Sequence, residues 1–465
     1  MAERLLSPAE REAAGKKARG KTSRKALGKW EPDARRPGPV AIIKRQNKTR
    51  VSELVPIRHG RMAASAFTFY RGGAGIMAAD LATGPRTGLK AQLCGDAHLS
   101  NFGVFSAPDR RLIFDINDFD ETYPGPFEWD VKRLVASFAI AGRDLGFKEG
   151  DRRAAVAEAA GEYRREMRRL AAIRTIDVWY ERMDVETLNR YRAEVDKKTA
   201  RNYDKNVAKA ERKNSLRAFN KLTHSVDGEL RIISDPPLIV PVSEMTKTDR
   251  QLKTVVGRIQ GLLAAYRQTL KGDVRHLVEG YHYVDLARKV VGVGSVGTRA
   301  WIVLMLGRDS QDPLFMQVKE AEASVLGGLD VRSKFKQQGR RVVEGQRLMQ
   351  AASDIFLGWL TAEGLDGKIR DFYVRQLWDG KGSAEIESMS PKRMKLYARL
   401  CGWTLARAHA RSGDRVAIAS YLGKGEKFDR AMCDFAEAYA DQNEADYKEF
   451  EKAIKKGELK AETGL

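Results

Sequence analysis

Cysteine is scarce in this 465-residue chain, and the sequence has no long apolar run. The three cysteines, Cys94, Cys401 and Cys433, form no Cys-x-x-Cys pair. This pattern argues against a disulfide framework or a structural zinc site and favours a reducing compartment. No segment approaches the roughly 20 apolar residues of a membrane-spanning helix, and the charged N-terminus lacks the apolar centre of a signal peptide. We therefore expect a cytoplasmic protein without a transmembrane segment.

Basic residues outnumber acidic residues by 83 to 62, which gives a net charge of +21. Residues 1–50 hold 15 lysines and arginines against five acids and show no sustained apolar periodicity before Val51. This composition predicts a mobile basic arm over residues 1–50. Its charge suits weak contact with nucleic acid or an anionic surface, and a solubilising tail is the alternative interpretation.

Apolar periodicity and turn residues divide the chain into parts of different character. The predicted parts are 1–50 (basic arm), 51–150 (mixed helices and strands), 151–280 (charged helical insertion), 281–385 (small antiparallel sheet) and 386–465 (C-terminal helices). The predicted strands are 89–93, 111–116, 289–294, 298–306, 314–319 and 371–377. The predicted helices include 58–80 with a break at Gly72-Gly73, a helix after Glu128, and 243–270, 340–360, 391–411 and 428–454.

The most informative residues lie in the strings CGDAHLSNFGVF, from position 94, and RLIFDINDFDETYPGPFEWDVKRL, from position 111. Asp96 and Asn101 fall in a loop directly after one strand, and Asp118 falls just past the next strand. We expect these polar side chains to meet at one end of a small sheet. An Asp can orient an acceptor hydroxyl and take its proton, while Asn and Asp oxygens suit Mg²⁺. Asp115 and Asp120 compete with Asp118 for the metal.

These strings resemble the catalytic core of the aminoglycoside-phosphotransferase and choline-kinase branch of the protein-kinase-like superfamily. That branch has a Gly-Asp-x-His-x-x-Asn loop, a strand ending in Ile-Asp-Phe, and a further Asp about a dozen residues later. The matching residues here are Gly95, Asp96, His98, Asn101, Asp118, Phe119 and Asp130. The resemblance implies that Asp96 is the catalytic Asp, that Asn101 and Asp118 bind the metal, and that Asp130 is a buried brace for the loop.

A glycine-rich segment, 291-VGVGSVGTRAWIVLM-305, follows much later in the chain. Gly292, Gly294 and Gly297 lie between two predicted strands, where backbone N–H groups can approach phosphate oxygens closely, and Ser295 adds a hydroxyl. Its position between strands argues against a dinucleotide-binding fingerprint, which requires a strand followed by a helix.

Lys319 ends the next strand, at the place where kinase-like folds carry the lysine that grips the nucleotide phosphates. We expect Glu344, from the following helix, to pair with Lys319, with Glu320 and Glu322 as alternatives. Residues 371–377 then resemble the connector between two lobes, where backbone groups would meet adenine.

The order of these parts is inverted, because the glycine-rich segment of a kinase-like enzyme normally precedes the catalytic loop. A circular permutation explains the order, provided that the new termini lie at the surface. The sequence therefore predicts an α+β, two-lobed, circularly permuted protein-kinase-like fold with a charged helical insertion. The strings FYRG, GDAHLSNFG, FDINDFDET and GPFEWDVKRL also resemble a bacterial family of unknown function, over nearly everything after residue 50.

The predicted function is an ATP- and Mg²⁺-dependent phosphotransferase that acts on a hydroxyl of a small molecule or a protein. Arg58, Arg61 and Arg71 either assist an anionic acceptor or pair with the acidic loop. Nucleotidyl transfer with a reversed nucleotide is the first alternative. The second is a basic protein that binds nucleic acid or another anion and has an inactive kinase-like core.

Overall fold

The computed structural model describes residues 6–188, 201, 205, 215–226, 228–364, 366–377 and 380–464. These residues form a mixed α+β structure whose paired strands are antiparallel, which confirms the predicted fold class at that level. Most of 189–214, in the predicted helical insertion, lies outside the described residues. None of the helices in the described ranges has the length and apolar character that a bilayer span requires.

Sixteen helices are defined in the described part of the chain. They are α1 (Pro8–Lys21), α2 (Pro39–Asn47), α3 (Val55–Met62), α4 (Ala66–Gly72), α5 (Ala74–Thr83), α6 (Phe127–Asp144), α7 (Glu149–Ala172), α8 (Thr175–Tyr180), α9 (Ser215–Leu222), α10 (Val242–Met245), α11 (Asp249–Arg267), α12 (Gly272–Glu279), α13 (Gln338–Met349), α14 (Pro391–Ser412), α15 (Arg415–Leu422) and α16 (Lys427–Lys455).

The strands of the described residues form four antiparallel sheets. They are β1 (Lys90–Leu93), β2 (Phe102–Ser106), β3 (Leu112–Ile116), β4 (Tyr123–Pro126), β5 (Met183–Asp184), β6 (Thr223–Val226), β7 (Glu229–Ile232), β8 (Ile239–Pro241), β9 (His282–Lys289), β10 (Ala300–Leu306), β11 (Pro313–Glu320), β12 (Gly358–Glu363), β13 (Ile369–Gln376) and β14 (Gly382–Ser383). The sheet orders are β12-β13-β11-β10-β9-β8, β14-β2-β3-β5, β1-β4 and β6-β7.

The six-stranded sheet has two different faces because strand side chains alternate with a period of two. Leu314 and Met316 of β11 join an apolar layer with residues of α11 and α12. Phe315 lies on the opposite face, in a second apolar layer. Gln317 and Lys319 share that opposite face by the same alternation. The sequence of β11 thus directs Lys319 away from the α11 side of the sheet.

The largest apolar core lies in the helical part of the molecule, among α6, α7, α14 and α16. Helix α14 begins at Pro391, whose fixed φ suits the first turn, and the Ser390 hydroxyl caps it by accepting the N–H of Arg393. Most of α14 is buried, including Arg407 and His409. Buried polar side chains need partners, and Arg407 and His409 find theirs in Asp115 and Asp130.

Two strand pairs position the acidic loops. Leu93 of β1 pairs with Tyr123 of β4, and Phe102 of β2 pairs with Ile116 of β3. The loop 94–101 joins β1 to β2, and the loop 117–122 joins β3 to β4. Because β1 pairs with β4 and β2 pairs with β3, the two loops lie side by side. This arrangement brings together residues that the sequence predicts at one end of a small sheet.

Four predicted segments differ from the structure. The segment 151–280, predicted as a helical insertion, also contains the strands β5 to β8. Residues 8–47 are not an unstructured arm, because they contain α1 and α2 and bury Leu27, Ile42 and Ile43. The strand predicted at 289–294 lies earlier, as β9, and residues 290–299 form the connection to β10. The helix predicted over 340–360 ends at Met349, and β12 follows it.

Candidate functional site

A buried lysine from the six-stranded sheet contacts the acidic loop that follows β3. The Nζ of Lys319 lies 2.5 Å from Asp120 Oδ2 and 4.0 Å from Asp118 Oδ2. The Tyr373 hydroxyl donates to the other oxygen of Asp120 at 2.6 Å, and Tyr373 is the register partner of Lys319 on β13. Residues about 200 positions apart in the chain therefore share one charged centre.

The charges of this centre stabilise one another. Burial by itself lowers the pKa of Lys319, but the nearby carboxylates of Asp118 and Asp120 raise it above its ordinary value. Burial by itself raises the pKa of Asp120, and Lys319 and Tyr373 reverse that effect and leave it lowered. Both groups are therefore charged at neutral pH, which a low-dielectric site permits only for paired charges.

The loop that carries Asp96 lies against the acidic loop because of Gly95. Gly95 has a φ of +85°, a conformation that glycine adopts at little cost. A side chain at this position would also overlap the carbonyl oxygen of Glu121. The Asp96 carboxylate then receives a charged hydrogen bond of 2.8 Å from Arg133 of α6. Burial raises the pKa of Asp96, and the Arg133 charge offsets part of that rise.

Asp130 holds the backbone of the same loop. Its carboxylate accepts the N–H groups of Cys94 at 2.8 Å and Gly95 at 3.0 Å. His409 of α14 lies 3.2 Å from Asp130, and the Tyr163 hydroxyl lies 2.9 Å from the other ring nitrogen of His409. Asp130 thus has the bracing contacts that the sequence resemblance implies.

Asp115 and Asp118 have different surroundings. Asp115 is buried, pairs with Arg407 and accepts the N–H of Ala351 at 2.8 Å. Asp118 keeps 32% of its side chain exposed and faces open space. Of these two carboxylates, only Asp118 is accessible to a ligand.

Asn101 retains an oxygen that could bind a metal. Its Nδ2 donates to the Asp96 carbonyl at 2.7 Å, and its amide oxygen accepts no hydrogen bond from a described residue. Asn101 and Asp118 therefore have the hard oxygen donors that suit Mg²⁺. Among the described residues, no three His, Cys, Asp or Glu side chains gather as a metal-ligand group.

The glycine-rich connection between β9 and β10 covers the charged centre. Gly292 has a φ of +69°, and the Ser295 hydroxyl lies 3.4 Å from Asp120 Oδ2. Gly294 lies beside Ser295, whereas the Gly297 carbonyl accepts the N–H of Val51 at 2.8 Å. Gly292, Gly294 and Ser295 thus border the site, and Gly297 anchors the connection to the N-terminal part of the chain.

Glu344 is not the partner of Lys319. Its carboxylate lies 3.9 Å from Arg340 and 4.0 Å from Arg347, both on its own helix. Of the two alternatives, Glu320 pairs with Arg299 and Arg370, and Glu322 forms no ion pair with Lys319 in the described structure.

Helix α13 contributes Arg341 to the site instead. Its guanidinium donates to the carbonyls of Thr122, Asp120 and Glu322 at 2.6 to 2.9 Å. The carboxylate that pairs with Lys319 therefore comes from the acidic loop. Helix α13 contacts that loop through Arg341, which donates to the backbone carbonyls of the loop.

A cavity of about 360 Å³ opens beside this centre. Asp118, Ser295 and Lys319 border it on one side, and Gln376 and Leu377 border it at the end of β13. Further lining residues are Phe105, Lys289, Gly292, Gln317, Gln346, Gln350 and Arg375. We call it the first cavity. Its lining combines cations, the carboxylates of Asp118 and Asp354, amides and apolar side chains such as those of Phe105 and Leu377.

Several residues of the site are not among the site residues predicted from the sequence. The periodicity of the strand and the helix that carry them nevertheless indicates which way they face. Tyr373 and Arg375 share one face of β13 by alternation, and Tyr373 lies opposite Lys319. On α13, Val342, Gln346 and Met349 are buried at helical spacing, a face that excludes Glu344. The sequence predicts Asp120 only as an alternative metal ligand, not as the partner of Lys319.

Comparison with known proteins identifies the family of the chain but no function. No curated protein and no solved structure is significantly similar to this sequence. A family profile described as "Uncharacterized protein conserved in bacteria (DUF2252)" matches residues 50–453. Because this match covers most of the chain, the protein belongs to the bacterial DUF2252 family.

Proposed function

We propose that this protein is an ATP- and Mg²⁺-dependent phosphotransferase with a circularly permuted, protein-kinase-like fold. The observation that carries the proposal is the ion pair between Lys319 and the Asp118–Asp120 loop, beside a cavity bordered by a glycine-rich connection. A buried lysine fixed in this way presents a cation to phosphate oxygens, and positioning with charge neutralisation supplies most of the catalysis in phosphoryl transfer.

The order of elements around Lys319 supports the kinase-like interpretation. The glycine-rich connection joins β9 to β10, Lys319 lies on the next strand, and α13 follows. Kinase-like folds carry their phosphate-binding parts in this order. The end of β13, at Gln376 and Leu377, borders the first cavity, where a connector between lobes would meet adenine.

The contacts of α14 support the permutation. The Gln92 N–H of β1 donates to the Ser412 hydroxyl at the end of α14, at 3.1 Å, across 320 positions of sequence. Helix α14 also supplies His409 to Asp130 and Arg407 to Asp115. In an unpermuted chain this helix would lead directly into β1 and the Asp96 loop.

Each side chain has a role that follows from its surroundings. Asp96, held by Arg133, orients the acceptor hydroxyl and accepts its proton at a carboxylate oxygen as the hydroxyl oxygen attacks the terminal phosphorus of ATP. The new O–P bond forms as the bond from that phosphorus to the bridging oxygen breaks, and ADP leaves. Lys319 holds the nucleotide phosphates. Asn101 and Asp118 are the residues that would hold Mg²⁺, which when bound neutralises phosphate charge. Asp130 and Arg341 position the two loops.

Nucleotide binding and transfer can be measured with ATP labelled at the γ- or the α-phosphate. We expect Mg²⁺-dependent ATP binding by calorimetry, and release or transfer of the γ-label but not the α-label. Asp96→Asn should retain binding and lower γ-transfer at least about 100-fold, as for loss of an acid–base group. Asp118→Ala should remove the dependence on Mg²⁺.

Glu344→Gln is the matched control, because among the described residues Glu344 forms ion pairs only with Arg340 and Arg347 of its own helix. This variant should bind and transfer as the wild-type protein does. Transfer of the α-label would assign nucleotidyl transfer instead. Wild-type turnover in both Asp96→Asn and Asp118→Ala would refute the assigned roles.

A further inference from the structure

A second cavity, of about 470 Å³, lies beside the first and shares Asp118 and Ser295 with it. Asp96 and Asp120 line this second cavity together with Gly294. Four arginines line it as well, Arg45, Arg50, Arg58 and Arg71, and they come from the N-terminal 71 residues. The proposed function needs the Asp96 carboxylate next to an acceptor, and this carboxylate faces a space that is bordered both by the four arginines and by acidic side chains, those of Asp118, Asp120, Glu121, Glu320 and Glu322.

Arg58 is 1% exposed, yet it has no carboxylate partner among the described residues. Its guanidinium donates to three neutral oxygens, those of Asn47 at 2.9 Å, Gln46 at 3.0 Å and the Gly72 carbonyl at 3.2 Å. Its Nε has no hydrogen-bond partner. Burial and the nearby Arg50 charge lower the pKa of Arg58 well below its ordinary value, and the Glu322 carboxylate offsets only part of that effect.

Arg71 and Arg50 are also short of partners. Arg71 lies over the Phe67 ring at 6.0 Å and makes no hydrogen bond or ion pair with a described residue. Arg50 donates to the Val296 carbonyl, and its Nε is buried without a partner. A buried polar group that is left unsatisfied is unfavourable, because it has given up its hydrogen bonds to water. Three arginines with unsatisfied donors line one cavity, which points to an anion that accepts hydrogen bonds from them.

The acidic residues of the second cavity are mostly committed to other partners. Asp96 pairs with Arg133, Asp120 with Lys319, and Glu320 with Arg299 and Arg370. Burial raises the pKa of Glu121 to about 7, so this carboxyl is partly protonated at neutral pH. Glu322 also lines the cavity and forms no ion pair with these arginines in the described structure. The arginines thus retain donors for a ligand.

We infer that the second cavity binds the acceptor through an anionic oxygen group, a phosphate or a carboxylate, held by Arg50, Arg58 and Arg71. Only the acceptor role rests on the proposed function, because anion binding requires no catalysis. Guanidinium donors suit both groups, since their planar fork matches two oxygens at once.

The test measures binding of inorganic phosphate, and separately of acetate, to the full-length protein by calorimetry. Arg71→Gln should weaken phosphate binding at least about tenfold, the size of one lost charged hydrogen bond. Arg308→Gln removes the same charge from an exposed pair with Asp309 and should bind like the wild type. Lys289→Gln, in the first cavity, should also leave this affinity unchanged. If Arg71→Gln does not fold, Arg50→Gln replaces it.

Each outcome decides the inference. A loss specific to Arg71→Gln supports it, and the tighter of the two anions identifies the acceptor group. A loss in Lys289→Gln with none in Arg71→Gln would place the phosphate in the first cavity and overturn it, as would no binding at all. If ATP shows no transfer while Arg71-dependent binding persists, only the acceptor role fails. If transfer occurs while Arg71→Gln and Arg308→Gln bind alike, the inference fails and the proposed function stands.

Discussion

At the residue scale, the site depends on charges that are buried in pairs. Lys319 is 2% exposed, and the Asp120 carboxylate accepts hydrogen bonds from both Lys319 and Tyr373. A pair of this kind contributes less to stability than its Coulomb attraction suggests, because both ions lose their hydration. Removing one member is much more costly, since the other charge stays buried.

This asymmetry predicts a strong coupling between the two side chains. Lys319→Met should lower the free energy of unfolding by about 3–5 kcal/mol, because it leaves the Asp120 carboxylate buried without its cation. Lys319→Met combined with Asp120→Asn should be clearly less destabilised than the sum of the single variants. Urea unfolding of the four proteins measures this cycle. Additive effects would show that the two side chains do not interact in solution.

Glu121 makes a separate contribution to pH dependence. Burial raises its pKa from 4.5 to about 7, so the folded protein holds a proton there that the unfolded chain has already released. The free energy of unfolding should therefore fall as the pH rises from about 4.5 to 7, by at most about 1.4 kcal/mol per pH unit, and this contribution should level off above pH 7.

Glu121→Gln isolates that contribution. A glutamine oxygen can still accept the Val325 N–H, which donates to Glu121 at 2.7 Å. Subtracting the stability curve of the variant from that of the wild type removes the other titrating groups. The difference should favour the variant increasingly from pH 5 to 7. A flat difference would contradict the pKa assigned to Glu121.

At the element scale, the two acidic loops are adjacent because of one backbone position. Gly95→Ala forces a residue with a Cβ into a left-handed conformation and against the Glu121 carbonyl. We expect it to be destabilised by about 3 kcal/mol or more, since backbone strain and a clash combine, and to lose γ-phosphate transfer. Thermal unfolding and the labelled-ATP assay measure these two effects.

Gly88→Ala is the matched control for Gly95→Ala. Gly88 also has a positive φ, +77°, but a side chain there meets nothing within 4 Å. Its substitution should cost only the conformational strain, about 1–2 kcal/mol, and leave transfer intact. Equal losses in both variants would show that the approach of Gly95 to Glu121 is unimportant.

Elements with strong periodicity were predictable from the sequence, and contacts between elements were not. The alternation in β11 and the helical spacing in α14 identify both elements within a few residues. Three valines among residues 289–294 predict a strand there, yet Gly292, Gly294 and Gly297 allow a turn instead. The position of Glu344 at the start of a helical run predicts a contact with Lys319, but the buried face of α13 carries Val342 and Met349 and does not include Glu344.

At the scale of the whole molecule, the N-terminal segment is part of the folded structure. Its high charge resembles that of a tail, but its arginines have specific internal partners. Arg36 contacts Asp80 of α5 at 2.6 Å and Asp446 of α16 at 2.5 Å, and all three side chains are buried. Composition alone cannot distinguish these two situations, because the partners lie 44 and 410 positions away.

Neighbouring arginines allow a direct test of this role. Arg36→Gln should lower the free energy of unfolding by about 3–5 kcal/mol, because two buried carboxylates lose their shared cation. Arg35→Gln removes the same charge from a side chain that is 93% exposed and lies 3.6 Å from Asp33, so it should change stability by less than about 0.5 kcal/mol. Urea unfolding measures both variants. Equal, small effects would restore the interpretation of residues 1–50 as a detached tail, whereas the expected difference would show that this segment joins α5 to α16. Because the same segment carries Arg45 and Arg50 to the second cavity, a loss of its packing in Arg36→Gln should also weaken phosphate binding there.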